Sequence, residues 1–147
     1  LKALTTQIED TLATLRGVSE NDSLGRYEPG KWSLREVVGH MIDTERVFAY
    51  RALCFARNEK AALPGFEQDD YAAAGGFDRI PWASLLSEFE LLRGSNVFMF
   101  RGLAHDAWSH TGIASDNPIT VRALAYNIAG HELHHMKIVR ERYLSGR

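Results

Sequence analysis

Three of the six histidines in this 147-residue chain fall within the five positions His131-Glu132-Leu133-His134-His135. Histidines four apart on a helix project from the same side one turn apart, so the imidazoles of His131 and His135 can reach one metal ion. With Leu124 as origin and about 100° per residue, His131 falls near −20° and His135 near +20°, which puts both on the apolar seam of a helix. Burying two imidazoles there is costly unless something satisfies both, and a shared metal does so. A third ligand is needed. Outside this segment the only histidine on a predicted helix is His40, on the shoulder of its apolar stripe beside Gly39, whose missing side chain leaves room for a close approach. His40, His131 and His135 are therefore the candidate metal ligands. Three neutral imidazoles from two helices would leave coordination positions for water or substrate. They suit zinc, nickel and iron alike, so the metal's identity is not readable.

Other readings of the cluster were weighed on spacing. His131 to His135 spells H-E-x-x-H, the zincin protease signature, with Glu132 as general base. Little chain follows His135 to supply a distant third ligand, and no strand is predicted to align a peptide, so a zincin is the lesser alternative. A di-iron carboxylate bundle needs two Glu-x-x-His motifs, and only Glu132 to His135 has that spacing. By the same angular count Glu132 and His134 lie at the seam's edges, near +80° and −80°. Glu132 reads equally as a solvated side chain or as a partner to an imidazole, and is assigned no catalytic role. His105 and His110 flank Trp108 in a polar stretch and are expected to face solvent.

Four helical segments must position these residues. Leu4, Ile8, Leu12 and Leu15 mark an amphipathic helix from about residue 1 to 18. Ser33-Leu34-Arg35-Glu36 is a capping box, preceded by Trp32 as a hydrophobic staple, and opens a helix with Val37, Met41, Thr44, Phe48, Ala52 and Phe55 on one stripe to about Arg57. Residues 58 to 80 form a long connection, with Pro64-Gly65, Gly75-Gly76 and room for a short turn of helix, of the kind that covers a site. Pro81 starts a third helix with Leu85, Phe89, Leu92, Asn96, Met99 and Leu103. A loop from His105 to Ile119 follows, and Thr120 caps a fourth helix to about Tyr143. The expected fold is all-α: a single four-helix bundle over residues 1–147, up-down-up-down, with long connections.

Composition narrows the function classes. Seventeen basic and 19 acidic side chains give a net charge of −2, leaving no basic excess for nucleic acid or for an anionic membrane surface. No stretch nears the roughly 20 apolar residues of a membrane span, and no charged n-region followed by an apolar h-region is visible, so no signal peptide is expected. The chain begins at a leucine, so upstream residues are expected to be missing. One cysteine, Cys54, excludes an internal disulfide and suggests a reducing, cytoplasmic setting. On its helix Cys54 falls at the side of the stripe and reads as a packing residue.

The segments Tyr27-Glu28-Pro29-Gly30-Lys31-Trp32-Ser33, Glu36, Gly39-His40, Glu45-Arg46, Leu63-Pro64-Gly65-Phe66 and Ala129-Gly130-His131-Glu132-Leu133-His134-His135 together resemble the DinB-like (damage-inducible) superfamily. The resemblance covers most of the chain. It implies a four-helix bundle, commonly a homodimer, with a divalent metal held by one histidine of the second helix and a His-x-x-x-His pair of the last; His40, His131 and His135 match those places. The same superfamily includes metal-dependent transferases and isomerases that use bacillithiol or mycothiol. The expectation is a metal-dependent transferase, isomerase or hydrolase acting on an unidentified small molecule, with a low-molecular-weight thiol as possible co-substrate. The alternative is a non-catalytic metal-binding or dimerisation bundle.

Overall fold

A computed structural model describes residues 1–145. Four long helices form the bundle: α1 (Lys2–Arg16), α2 (Leu34–Ala56), α4 (Trp82–Arg101) and α5 (Val121–Ile138). A short helix, α3 (Gln68–Gly75), lies in the connection after α2, and a hairpin of β1 (Thr111–Ala114) and β2 (Asn117–Thr120) precedes α5.

Helix boundaries follow the local chemistry. The Ser33 hydroxyl accepts from the Glu36 amide at 3.0 Å while Glu36 Oε2 accepts from the Ser33 amide at 2.7 Å, completing the capping box of α2. Trp32 packs on the same apolar cluster as Val37, as a staple should. Thr120 caps α5, its hydroxyl accepting from the Ala123 amide at 3.0 Å. Beyond Ile138 the last turn widens, with the Leu144 amide bonding to Val139 O at 3.1 Å.

Two apolar clusters fill the bundle and fix the helix directions. One joins Leu12 and Leu15 of α1, Leu34 to Ile42 of α2, Trp82 to Phe89 of α4, and Met136 and Val139. The other joins Leu4, Ala49 to Ala56, Val97 and Phe100, and Val121 to Ala129. Both α2 and α4 thus run from the first cluster to the second, whereas α1 and α5 run the opposite way. The four-helix bundle matches the expectation, but the order is up-down-down-up rather than up-down-up-down, because α4 runs parallel to α2. α1 and α2 each pack on α4 and α5.

Parallel neighbours cannot be joined by a tight turn, so the chain must return along the length of α2, a helix of about 34 Å. Residues 57–81 make that return. Leu63 pairs with Ala114 near the C-terminal end of α2, and α3 then lies on α2. Phe77 reaches the other end, where its ring occupies the space over Gly39; a Cβ there would stand 2.3 Å from it. Gly39 admits Phe77 rather than a facing helix or a metal.

The stretch from His105 to Ile119, expected to be a loop, contains the hairpin. Its two-residue turn, Ser115-Asp116, has φ of 51° and 62°, the left-handed pair that joins twisted antiparallel strands. Pro118 in β2 masks the strand in the sequence because proline cannot donate to a ladder. On α4 the buried positions are Trp82, Leu85, Leu86, Phe89, Arg93, Asn96, Val97 and Phe100; Leu92, Met99 and Leu103, expected on the stripe, are only half-buried.

Candidate metal centre

His40 sits in the second turn of α2, and α5 crosses it so that His131 and His135 face it. His40 Nε2 lies 2.9 Å from His131 Nε2, and one nitrogen from each of the three rings lies within 4.8 Å of the others. Ring centroids are 4.4 to 4.8 Å apart within the triad. The three candidate ligands therefore converge. Among the described residues, no further histidine, cysteine or carboxylate joins this set.

The electrostatics suit a cation. Burial pushes His131 down to about 3 and His135 down to about 4, with the neighbouring imidazoles adding to the effect. Burial also lowers His40, and Asp69 of α3 partly opposes it. All three rings are thus neutral at pH 7, the form in which imidazole is a ligand. Thr44 Oγ1 stands 3.4 Å from His40 Nδ1, one turn along α2. A proton on Nδ1 directed at that hydroxyl leaves the Nε2 lone pair facing His131. The donor set fits a divalent metal.

The surroundings keep the cluster partly dry. The Trp32 ring lies 4.9 Å from that of His40 and the Phe48 ring 6.3 Å from that of His131. Tyr143, at the end of the widened turn, donates to Trp32 O at 2.6 Å; burial first, then Tyr27, pushes its hydroxyl up to about 12. Beside His135 opens a cavity of about 310 Å³ lined by Tyr27, Lys31, Trp32, Asp69 and Tyr143, among others.

The seam of α5 is rotated from the expected one. Its buried line is Leu124, Ile128, Glu132, Met136 and Val139, which moves His131 and His135 from the centre to a half-buried flank facing α2. Glu132 is neither at the edge nor near solvent. It accepts from Thr11 Oγ1 at 2.6 Å and lies 2.8 Å from Arg93 Nη1. Arg93 also donates to both carboxylate oxygens of Glu45, at 2.9 and 2.8 Å, and Asn96 donates to Glu45 Oε1 at 3.0 Å. Held in this network, Glu132 is not placed to act as a zincin base. His134 is exposed, its ring 5.2 Å from that of His135. His105 faces solvent, whereas His110 is half-buried, contrary to expectation. Cys54 is half-buried on the second apolar cluster.

Residues 3–139 match the DinB superfamily. The chain belongs to that superfamily. No curated protein matches the chain significantly. Among solved structures, this DinB-superfamily chain is similar to YfiT from Bacillus subtilis, described as a probable metal-dependent hydrolase with an unusual four-helix bundle topology; the TM-score is 0.77 at 18% identity, covering 95% of this chain and 83% of that one. It is also similar to a mycothiol-dependent maleylpyruvate isomerase, with TM-score 0.71 and 13% identity over 92% of this chain and 58% of the isomerase. At these identities the likeness establishes the fold.

The sequence offered no motif for Arg93, and Glu45 entered only through the Glu45-Arg46 pair of the family resemblance, without a role. The available signal was position, since both charges occupy apolar-stripe spacings on α4 and α2. Asp69 was visible only as part of an acidic pair in a long connection.

Proposed function

We propose that this DinB-superfamily chain is a metal-dependent enzyme for a small molecule, transferring or hydrolysing a group at a divalent ion held by His40, His131 and His135. The observation that carries the reading is the convergence of three neutral imidazoles beside a cavity, with no fourth protein ligand among the described residues. A divalent ion bound there supplies a Lewis acid and lowers the pKa of a coordinated water or thiol. The metal-dependent hydrolase and the thiol-dependent isomerase that share the fold make both groups chemically reasonable.

The chain's own residues do the rest. Thr44 orients His40. Trp32 and Phe48 limit water around the rings. Asp69, the carboxylate lining the cavity, is the proton acceptor, and Lys31 offers a cation to substrate. Cys54 lies outside the cavity lining, so a thiol reagent would have to be a co-substrate. Function in the cytoplasm and as a homodimer belongs to the same proposal; Leu91 and Phe98, each 74% exposed on α4, support a second copy as partner. Among the described residues, no helix is long and apolar enough to cross a membrane.

Cobalt substitution tests the open site. The cobalt spectrum should change on adding a small thiol, and Asp69→Asn should leave metal content intact. A spectrum indifferent to thiols would remove the thiol-dependent version, and a closed four-ligand protein site would favour the non-catalytic bundle.

A further inference from the structure

Among the described residues three arginine side chains are buried, and two have carboxylate partners. Arg35 Nη2 lies 2.5 Å from Glu20 Oε1, and Arg93 is held between Glu45 and Glu132. Arg51 differs. It is 6% exposed, yet among the described residues its acceptors are neutral: Pro64 O at 2.7 Å and Ser115 Oγ at 3.0 Å, both using Nη2. Among the described residues no carboxylate is paired with it. Burial lowers its pKa with no acidic neighbour opposing the shift, though a guanidinium keeps its charge in any protein setting.

A buried cation without a counter-charge is costly. The Phe48 ring, 5.9 Å from Arg51 Cζ, attracts the guanidinium but carries no charge to neutralise it. The two neutral bonds tie α2 to the return connection and the hairpin, which accounts for one nitrogen of the three. Arg51 also lines a cavity of about 290 Å³ with Arg46, Tyr50, Pro64, Phe66 and Tyr71. Arg46, at the rim, is already paired with Glu88 at 2.6 Å and lies 3.7 Å from Asp43, so Arg51 is the cation of this cavity that can receive an anion. The rings of Phe66 and Tyr71 meet edge-to-face at 5.1 Å and form an apolar wall.

We propose that this cavity binds the anionic group of a small aromatic molecule, a carboxylate or a phosphate, with Arg51 as the recognising residue and Phe66 and Tyr71 contacting the apolar body. The site is distinct from the histidine cluster. Phe48 stands between them, touching on Arg51 at one side and lying 6.3 Å from His131 at the other. Nε and Nη1, the nitrogens not used by Pro64 and Ser115, offer charge-assisted hydrogen bonds that suit either anion. The inference does not require a metal at the histidines.

The test uses the full chain, stripped of metal by a chelator, with the arginine Nε–Hε resonances followed by NMR. Phenyl phosphate and benzoate are titrated separately, with benzyl alcohol as the neutral control; the stronger of the two anions identifies phosphate or carboxylate as the preferred group. At least one anion should shift the Arg51 resonance saturably while the alcohol does not. Arg51→Met should weaken that anion by about tenfold or more, the scale of losing a charge-assisted hydrogen bond, and His131→Ala should leave it unchanged. If Arg51→Met fails to fold, Tyr71→Ala should weaken binding measurably. The proposal is overturned by absent or non-saturable anion binding, by equal response to the alcohol, by dependence on His131, or by indifference to every cavity variant that folds. Loss of the metal-centre reading would leave these outcomes untouched.

Discussion

Two polar clusters lie side by side in the bundle, both drawing on α2 and α5, and they are built on opposite terms. In one, Arg93, Glu45, Glu132, Asn96 and Thr11 are almost wholly buried, and the charges face opposite charges at 2.8 to 2.9 Å. In the other, His40, His131 and His135 face one another with neutral rings and no carboxylate partner in hydrogen-bond reach. Sequence neighbours are shared between them: Thr44 serves His40 while Glu45 holds Arg93, and His131 faces His40 while Glu132 turns away. The first cluster is complete in itself and fastens the helices. The second brings three imidazole nitrogens toward one point, the arrangement that the proposed ion would use. Placing the satisfied network directly behind the unsatisfied one also fixes the distance between the two helices that carry the imidazoles.

Removing the centre of the satisfied cluster should have the largest effect on stability. Arg93→Met leaves two buried carboxylates uncompensated and is expected to cost about 3–5 kcal/mol, read from urea unfolding. Replacing Arg93, Glu45 and Glu132 together with apolar residues of similar size should recover most of that loss, because a buried ion network is often no more stabilising than good packing. Metal binding by the folded triple variant would show that the clusters are separable.

The pH response should separate them as well. The histidines have folded pKa values below the unfolded value of about 6.5, His131 near 3 and His135 near 4. The unfolded chain therefore binds more protons in that interval, and stability should fall as pH drops from about 6.5 towards the folded values. Guanidine unfolding of metal-free protein across that range checks the sign. In His131→Ala/His135→Ala the slope should flatten. The smallest effect is expected from Thr44→Val, which removes the oxygen beside His40 Nδ1 without touching a ligand; metal affinity should fall by about tenfold, measured by competition with a chelating dye.

How much of this was legible in the sequence depends on whether the cause is local. The start of α2 was legible because Ser33 and Glu36 bond each other, and the triad because histidine spacing on a helix sets direction. The direction of α4 was not, since residues 57–81 can as easily be a loop as a return strand of chain. Glu132 was misplaced because counting angles from Leu124 assumed a seam centred there, whereas Arg93 pulls the buried line round to Glu132 itself. The hairpin was hidden by Pro118 and by a turn built from Ser115 and Asp116 rather than Asn-Gly. For α4 and Glu132 the deciding partner is far away in sequence.

The central claim, that His40, His131 and His135 hold one divalent ion, is tested most directly by zinc titration calorimetry with elemental analysis of the intact chain and of the His131→Ala/His135→Ala variant. The account predicts about one ion per chain, as an open site of this type should show, and none in the folded variant. Equal metal content in the two proteins, or no binding to the intact chain, would contradict it.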